Sequence, residues 1–310
     1  MGGDQAPGPI VDGVVSAGRQ VQGGLTLVGP LARLEAELSR HAERPSIAIV
    51  DAPDVVGMDE SPAVALRRKP GASIRVAMDQ LAAGQAAAVV SAGSTGATVM
   101  AARTTLGLLE GVERPALAVI IPTRQRPAVL LDVGANAECR PSHLMQFGVL
   151  GSVFAQVAFG LEAPRVGLLS IGEEETKGNE LTREAHQRLK TAPIRFTGNV
   201  EARDVYSGVA DVIVCDGFTG NVALKISESL VEMIDALSGG ALGALASSRL
   251  NEAEYGGALL VGVKGIVIVG HGRSSARAVE SAVLLARRFV DADVLTRFER
   301  GIAAIPENAS

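Results

Sequence analysis

The stretch Val212-Ile213-Val214-Cys215-Asp216-Gly217-Phe218-Thr219-Gly220-Asn221 decides the fold class. Its first four positions are apolar without alternation, as in a strand buried on both faces of a parallel sheet. Glycines at 217 and 220 permit a tight turn, and a helical pattern takes over from 219 to 237. A strand that runs through a glycine turn straight into a helix is the repeating unit of a doubly wound α/β sheet.

The same unit recurs in both directions. Continuous apolar runs predict further strands at 25–28, 47–50, 87–91, 117–121, 129–132, 166–171, 194–197 and 266–269. Helical patterns lie between them at 29–41, 73–83, 95–109, 141–159, 180–190 and 274–290. The runs 117–121 and 129–132 are joined by residues 122–128 alone, too short for a parallel crossover, so they are expected to form an antiparallel hairpin. The expected fold is α/β: a doubly wound, mainly parallel sheet with one hairpin, spanning 1–310 as a single domain, if necessary in two lobes.

Composition narrows the function. With 310 residues, 47% of them hydrophobic and 20% charged, the chain can bury a large core. Aromatic residues make up 3% and Trp is absent, which argues against base-stacking platforms. The net charge is -5 and no block of like charge appears, so nucleic acid is not an expected partner. Cys139 and Cys215 fit no metal-ligand spacing and read as reduced, buried thiols. No basic segment followed by an apolar run opens the sequence, and no apolar run approaches membrane-span length. The expected location is cytoplasmic, at most peripheral to the inner face of the membrane.

Chemistry in such a sheet gathers where strands end. One strand exit carries Gly93, Ser94, Thr95 and Gly96; another carries Asp132, Gly134 and Asn136. A third carries Gly172, Lys177, Gly178 and Asn179; the last two carry Asp216 to Asn221 and Gly270-His271-Gly272. Glycine lets backbone N–H groups approach a ligand, and a helix start adds unpaired donors suited to an anion. Each residue also has a plainer reading. Ser94, Thr95, Thr219 and Asn221 are ordinary helix caps; Asp132 caps its own turn; Asn136 suits a left-handed turn. Lys177 reads equally as a counter-charge to Glu173, Glu174 and Glu175. His41, His143 and His186 fall in helical patterns and are expected at the surface or an interface. The phosphate-loop, dinucleotide and nucleophile-elbow patterns are all missing, as is any His/Cys cluster of metal-binding spacing. No cofactor and no metal are expected.

Nine segments in order extend this reading: MGGD (1–4), MDESPA (58–63), SAGSTGA (91–97), DVGANAECR (132–140), IGEEETKGN (171–179), GNV (198–200), CDGFTGNVALK (215–225), YGGA (255–258) and His271-Gly272. Together they resemble the bacterial phosphate acyltransferase (PlsX) family. The resemblance implies a homodimeric fold related to phosphotransacetylases and isocitrate dehydrogenase-like enzymes. It implies transfer of a long-chain acyl group from acyl carrier protein to inorganic phosphate, giving acyl-phosphate for phospholipid synthesis. Three departures stand out. Members usually carry a strand ahead of the MGGD motif, so either the start of this sequence is misassigned or the sheet lacks one strand and keeps an exposed edge. Ser94 stands where Asn is common. The stretch 231–254, near the family's dimerisation and membrane-proximal segment (231–256), is short and weakly charged.

Phosphate is a competent nucleophile near neutral pH, so the expected mechanism is direct attack on a thioester held in place. Gly93, Ser94, Thr95, Gly96, Thr219, Gly220 and Asn221, with Lys177, are expected to bind phosphate. Asn179, Asn136 or His271 would face the thioester or departing thiolate, with Gly3, Asp4, Asp132 and Asp216 in support. An acyl-CoA phosphotransacylase and a non-catalytic scaffold at the membrane surface are the rival readings.

Overall fold

The computed structural model describes residues 1–239 and 255–306. In chain order the elements open with α1 (Gly8–Gly18), β1 (Leu25–Gly29), α2 (Leu31–Leu38) and β2 (Ile47–Asp51). Next come α3 (Pro62–Arg68), α4 (Ser73–Ala82), β3 (Ala88–Ser91), α5 (Thr95–Thr105), β4 (Ala116–Ile121) and β5 (Ala128–Leu131). They continue with α6 (Pro141–Phe159), β6 (Arg165–Ser170), α7 (Glu180–Thr191), β7 (Arg195–Glu201), β8 (Val212–Val214) and α8 (Gly217–Leu237). The last are β9 (Ala258–Val261), β10 (Ile266–Val269), α9 (Ala276–Asp291) and α10 (Val294–Ala303). Two compact units result: unit 1 from Met1–Gly107 and Glu252–Asp291, unit 2 from Leu108–Asn251 and Ala292–Ser310.

In unit 2 the strand order is β4-β5-β8-β6-β7. β4 and β5 form the expected antiparallel hairpin, and the remaining pairings are parallel. Every residue of β4, β5 and β8 is buried, which is why these strands read as unbroken apolar runs. Helix α6 packs on β5, β8 and β6, and α7 and α10 pack on it. Its apolar residues lie all round the helix because all its faces are covered. A Cβ at Gly151 would stand 2.6 Å from Val212 Cγ1, so glycine sets how near the helix comes to the sheet.

In unit 1 β1 and β2 pair in parallel, β3 pairs in parallel with β10, and β10 pairs antiparallel with β9. Helices α1 and α9 pack together, and Val11, Val14, Leu27, Leu34 and Val279 share one buried cluster. Among the described residues β1 and β3 each have a strand on one side only. A cavity of about 290 Å³ is lined by both strands and by Ile74 and Val283. Among the described residues β2 and β7 are edge strands as well, and what sets β1 and β3 apart is the apolar slot that both line.

The periodic reading missed α1, α3, α10 and β9. Pro and Gly interrupt α1, α3 is 7 residues long, and β9 has only 4 residues after two glycines of positive φ, 78° and 107°. The Gly/Ala/Ser-rich stretch from 240, and with it most of the segment 231–256, lies outside the described residues.

Candidate active site

In unit 2 the exit of β5 is organised by Asp132, which is 0% exposed. Its Oδ1 accepts the N–H groups of Leu117 (3.0 Å), Gly134 (3.1 Å) and Ala135 (2.9 Å). Its Oδ2 accepts the backbone N–H and the side-chain amide of Asn136, both at 2.8 Å. Burial pushes the carboxyl above its ordinary range, and the donors from Ala135 and Leu117 pull it only partly back. Gly134 supplies the turn with a φ of 137°, whereas Asn136 has no positive φ. The amide of Asn136 also donates to the Pro115 carbonyl (2.6 Å), which commits both of its hydrogens. Asn136 is therefore a brace for this loop, and its amide is not left over for a thioester.

Helix α8 begins beside that loop. Its cap is Asp216, rather than Thr219 or Asn221 as the sequence suggested: Asp216 accepts the Thr219 N–H (2.9 Å) and hydroxyl (2.7 Å). The Gly220 N–H donates to the Asp216 carbonyl and the Gly217 N–H to the Asn136 carbonyl. The Asn221 amide donates to the Val133 carbonyl (3.1 Å). Most donors at this helix start are thus satisfied from within. Gly220 serves packing, since a Cβ there would fall 1.9 Å from the Asp132 carbonyl oxygen.

The turn after β6 separates Lys177 from its alternative role. Glu173 pairs with Arg203 and Glu175 with Lys190, so two of the three glutamates have other partners. Lys177 is exposed and makes no ion pair among the described residues. Asn179 caps α7, its side-chain oxygen accepting the Thr182 N–H at 2.9 Å.

Unit 1 gathers three glycine turns. The Asp4 N–H donates to the Gly272 carbonyl (2.8 Å), and the Gly270 N–H to the Ser91 carbonyl (2.7 Å). A Cβ at Gly3 would stand 3.1 Å from both the Ala92 and Gly272 carbonyl oxygens. This contact joins Gly3 and Asp4, Gly93 and Ser94, and His271 in one place. Ser94 caps α5 by accepting the Ala97 N–H. The next two residues, Thr95 and Gly96, are exposed, and their N–H groups have no acceptor among the described residues. This helix start leaves two N–H groups open, where that of α8 leaves one, that of Phe218, among the described residues. His271 is also exposed; its Nδ1 accepts the Arg273 N–H (3.2 Å) and its Nε2 has no partner among the described residues. Met58 and Pro62, in a motif to which sequence reading gave no role, touch these turns. Met58 lies against Gly272 and Pro62 against Gly96.

Both cysteines are protonated thiols. Burial, aided by Asp132, pushes Cys139 up to about 12. Burial likewise raises Cys215, with Asp216 and Asp132 adding to it. The histidine expectation is corrected for two of three, because His143 and His186 are buried. His143 Nδ1 accepts the Arg140 N–H (3.0 Å) while Nε2 donates to Glu113 (3.1 Å). His186 bonds Asn199 and meets the Phe196 ring edge-on at 5.0 Å. No group of three potential metal ligands occurs among the described residues, and no described helix is long and apolar enough to cross a membrane.

The profile of a family described as "Fatty acid synthesis protein" matches residues 1–297. A phosphate acyltransferase of Pelotomaculum thermopropionicum is 46% identical over 321 residues, covering 98% of this chain and 94% of that one. A phosphate acyltransferase of Synechococcus is 47% identical, covering 98% and 88%. Among solved structures, a phosphotransacetylase from Streptococcus pyogenes superposes with a TM-score of 0.66 at 16% identity, covering 91% of each chain. The EutD phosphotransacetylase from Staphylococcus aureus gives 0.57 at 16% identity, over 91% and 99%. These two likenesses establish the fold.

Proposed function

The chain belongs to this fatty acid synthesis family and is an acyltransferase; on that premise we propose that it moves a long-chain acyl group from acyl carrier protein to inorganic phosphate. The observation that carries the reading is the open start of α5. There the unpaired N–H groups of Thr95 and Gly96, beside the Ser94 cap, offer an anion two donors and the positive end of a helix.

In the proposed reaction a phosphate oxygen attacks the thioester carbonyl carbon. The tetrahedral intermediate expels the thiolate, the C–S bond breaks, and the products are acyl-phosphate and the free thiol of the carrier. No covalent acyl-enzyme is needed, and both cysteines are held protonated, the wrong state for a nucleophile. In unit 1, His271 Nε2 is assigned to the proton that the departing thiolate takes up, and Gly3 and Asp4 hold the loop that presents it. In unit 2, Lys177 is assigned to an oxygen of phosphate or thioester and the amide of Asn179 to the carbonyl. Asp132, Asn136 and Asp216 act as positioning residues, and Thr219, Gly220 and Asn221 set the start of α8. A homodimer is proposed through the outward side of α8, where Phe218, Val222, Ile226, Leu230 and Leu237 are exposed.

Turnover of a matched pair, one acyl chain on carrier protein and the same chain on CoA, tests the donor. The reading expects the carrier-linked donor to have the higher kcat/KM; a preference for acyl-CoA would replace it with a CoA-dependent phosphotransacylase.

A further inference from the structure

The segment from Met58 to Arg68 is in contact with two of the unit 1 turns. A Cβ at Gly272 would stand 2.8 Å from Met58 Cε, and one at Gly96 would stand 3.0 Å from Pro62 Cγ. Helix α3 is fixed by its inner side, where Ala65 joins Val56, Ala72 and Ala97 in one buried cluster. Its outer side carries Val64, Arg67 and Arg68, spaced i, i+3 and i+4 and so neighbours on one face. Val64 is 37% and Met58 44% exposed. Arg67 and Arg68 are exposed and make no ion pair among the described residues. Nearby, the Lys69 amine is held by Glu60, and Arg75 reaches over the Leu66 carbonyl. From 58 to 75 the chain holds four basic residues (Arg67, Arg68, Lys69, Arg75) and two acidic ones (Asp59, Glu60), a local charge of +2 in a protein of -5.

We propose that this face of α3, with Met58 at its edge, is the docking surface for the acidic carrier protein that delivers the acyl thioester. The inference rests on the carrier-dependent reading above. A small apolar patch rimmed by unpaired arginines suits a partner that presents carboxylates around a few apolar side chains. Its contact with the α5 start and the His271 turn puts the tethered thioester beside the candidate site.

The test is steady-state kinetics with two donors of the same acyl chain, one on carrier protein and one on pantetheine. Replacing both arginines (Arg67→Glu with Arg68→Glu) is expected to raise KM for the carrier-linked donor about tenfold or more at low ionic strength. The value of kcat, and turnover of acyl-pantetheine, should stay as in the wild type. Rising salt should raise the wild-type KM and leave that of the variant flat. The milder pair Arg67→Gln and Arg68→Gln should move KM the same way by a smaller factor. An unchanged KM, or an equal loss with both donors, would overturn the surface while leaving the reaction standing. Wild-type protein that turns over acyl-CoA but no acyl-carrier protein would remove the reading and this surface together.

Discussion

At the residue scale the decisive group is Asp132, one carboxylate that holds five donors and thereby shapes the loop after β5. Asp132→Asn keeps the shape but turns an amide NH2 toward groups that are themselves donors. Leaving such donors unpaired in a buried place costs about 1 to 3 kcal/mol. Urea denaturation should show a loss in that range, and a loss below the error of the measurement would contradict the assignment. Lys177→Ala should lower turnover about a hundredfold with no comparable loss of stability, since its amine makes no ion pair among the described residues. Cys139→Ser and Cys215→Ala should keep turnover within about threefold, because neither thiol is poised for attack. Trapping an acylated Cys215 in the absence of phosphate would contradict direct attack. Sequence reading placed Asp132 and Asp216 as supports but could not rank caps within Asp216-Gly217-Phe218-Thr219. Any of several short polar side chains can close a helix start, and only the backbone path chooses among them.

At the element scale the two helix starts differ in a way the sequence hides. Both follow a strand through a glycine turn, yet α8 is capped by Asp216 and packed on the Asp132 carbonyl with one N–H left open among the described residues, while α5 leaves two. Glycine looks the same in a sequence whether it lets a ligand approach or lets two segments of backbone touch. Gly220→Ala should therefore cost about 3 kcal/mol or more, in the range of severe core substitutions, because the atom it meets is backbone. Thermal denaturation checks it; a wild-type melting temperature would mean that Gly220 is free to bind ligand after all. Helix α6 carries a pH signature. Burial holds His143 below its ordinary 6.5, against the pull of Glu113, so the neutral ring is the form that suits the fold. Stability from this group is fully present above 6.5 and is lost as pH falls from there through the folded value. His143→Asn should flatten that part of the stability curve, and an unchanged acid limb would assign it elsewhere. The histidine was misplaced from sequence because its helical pattern shows period and not which side of the helix is covered.

At the scale of the whole molecule, buried parallel strands were legible because both faces are covered and every residue must be apolar. β5 and β8 show it directly. Among the elements that escaped, α3, with the docking face proposed above, is only 7 residues long. The slot lined by β1 and β3 has a physical consequence. Strands with one unpaired edge beside an apolar cavity should open more easily than strands paired on both sides. Amide hydrogen exchange should be faster in β1 and β3 than in β5 and β8, and equal protection would mean that the slot is filled in solution. The central claim concerns the reaction itself. Its most direct measurement is release of free thiol from a long-chain acyl-carrier protein by the purified protein, with and without inorganic phosphate. The account predicts thiol release that requires phosphate and is matched by formation of acyl-phosphate. Release that proceeds equally without phosphate, or no release from well-folded protein, would contradict it.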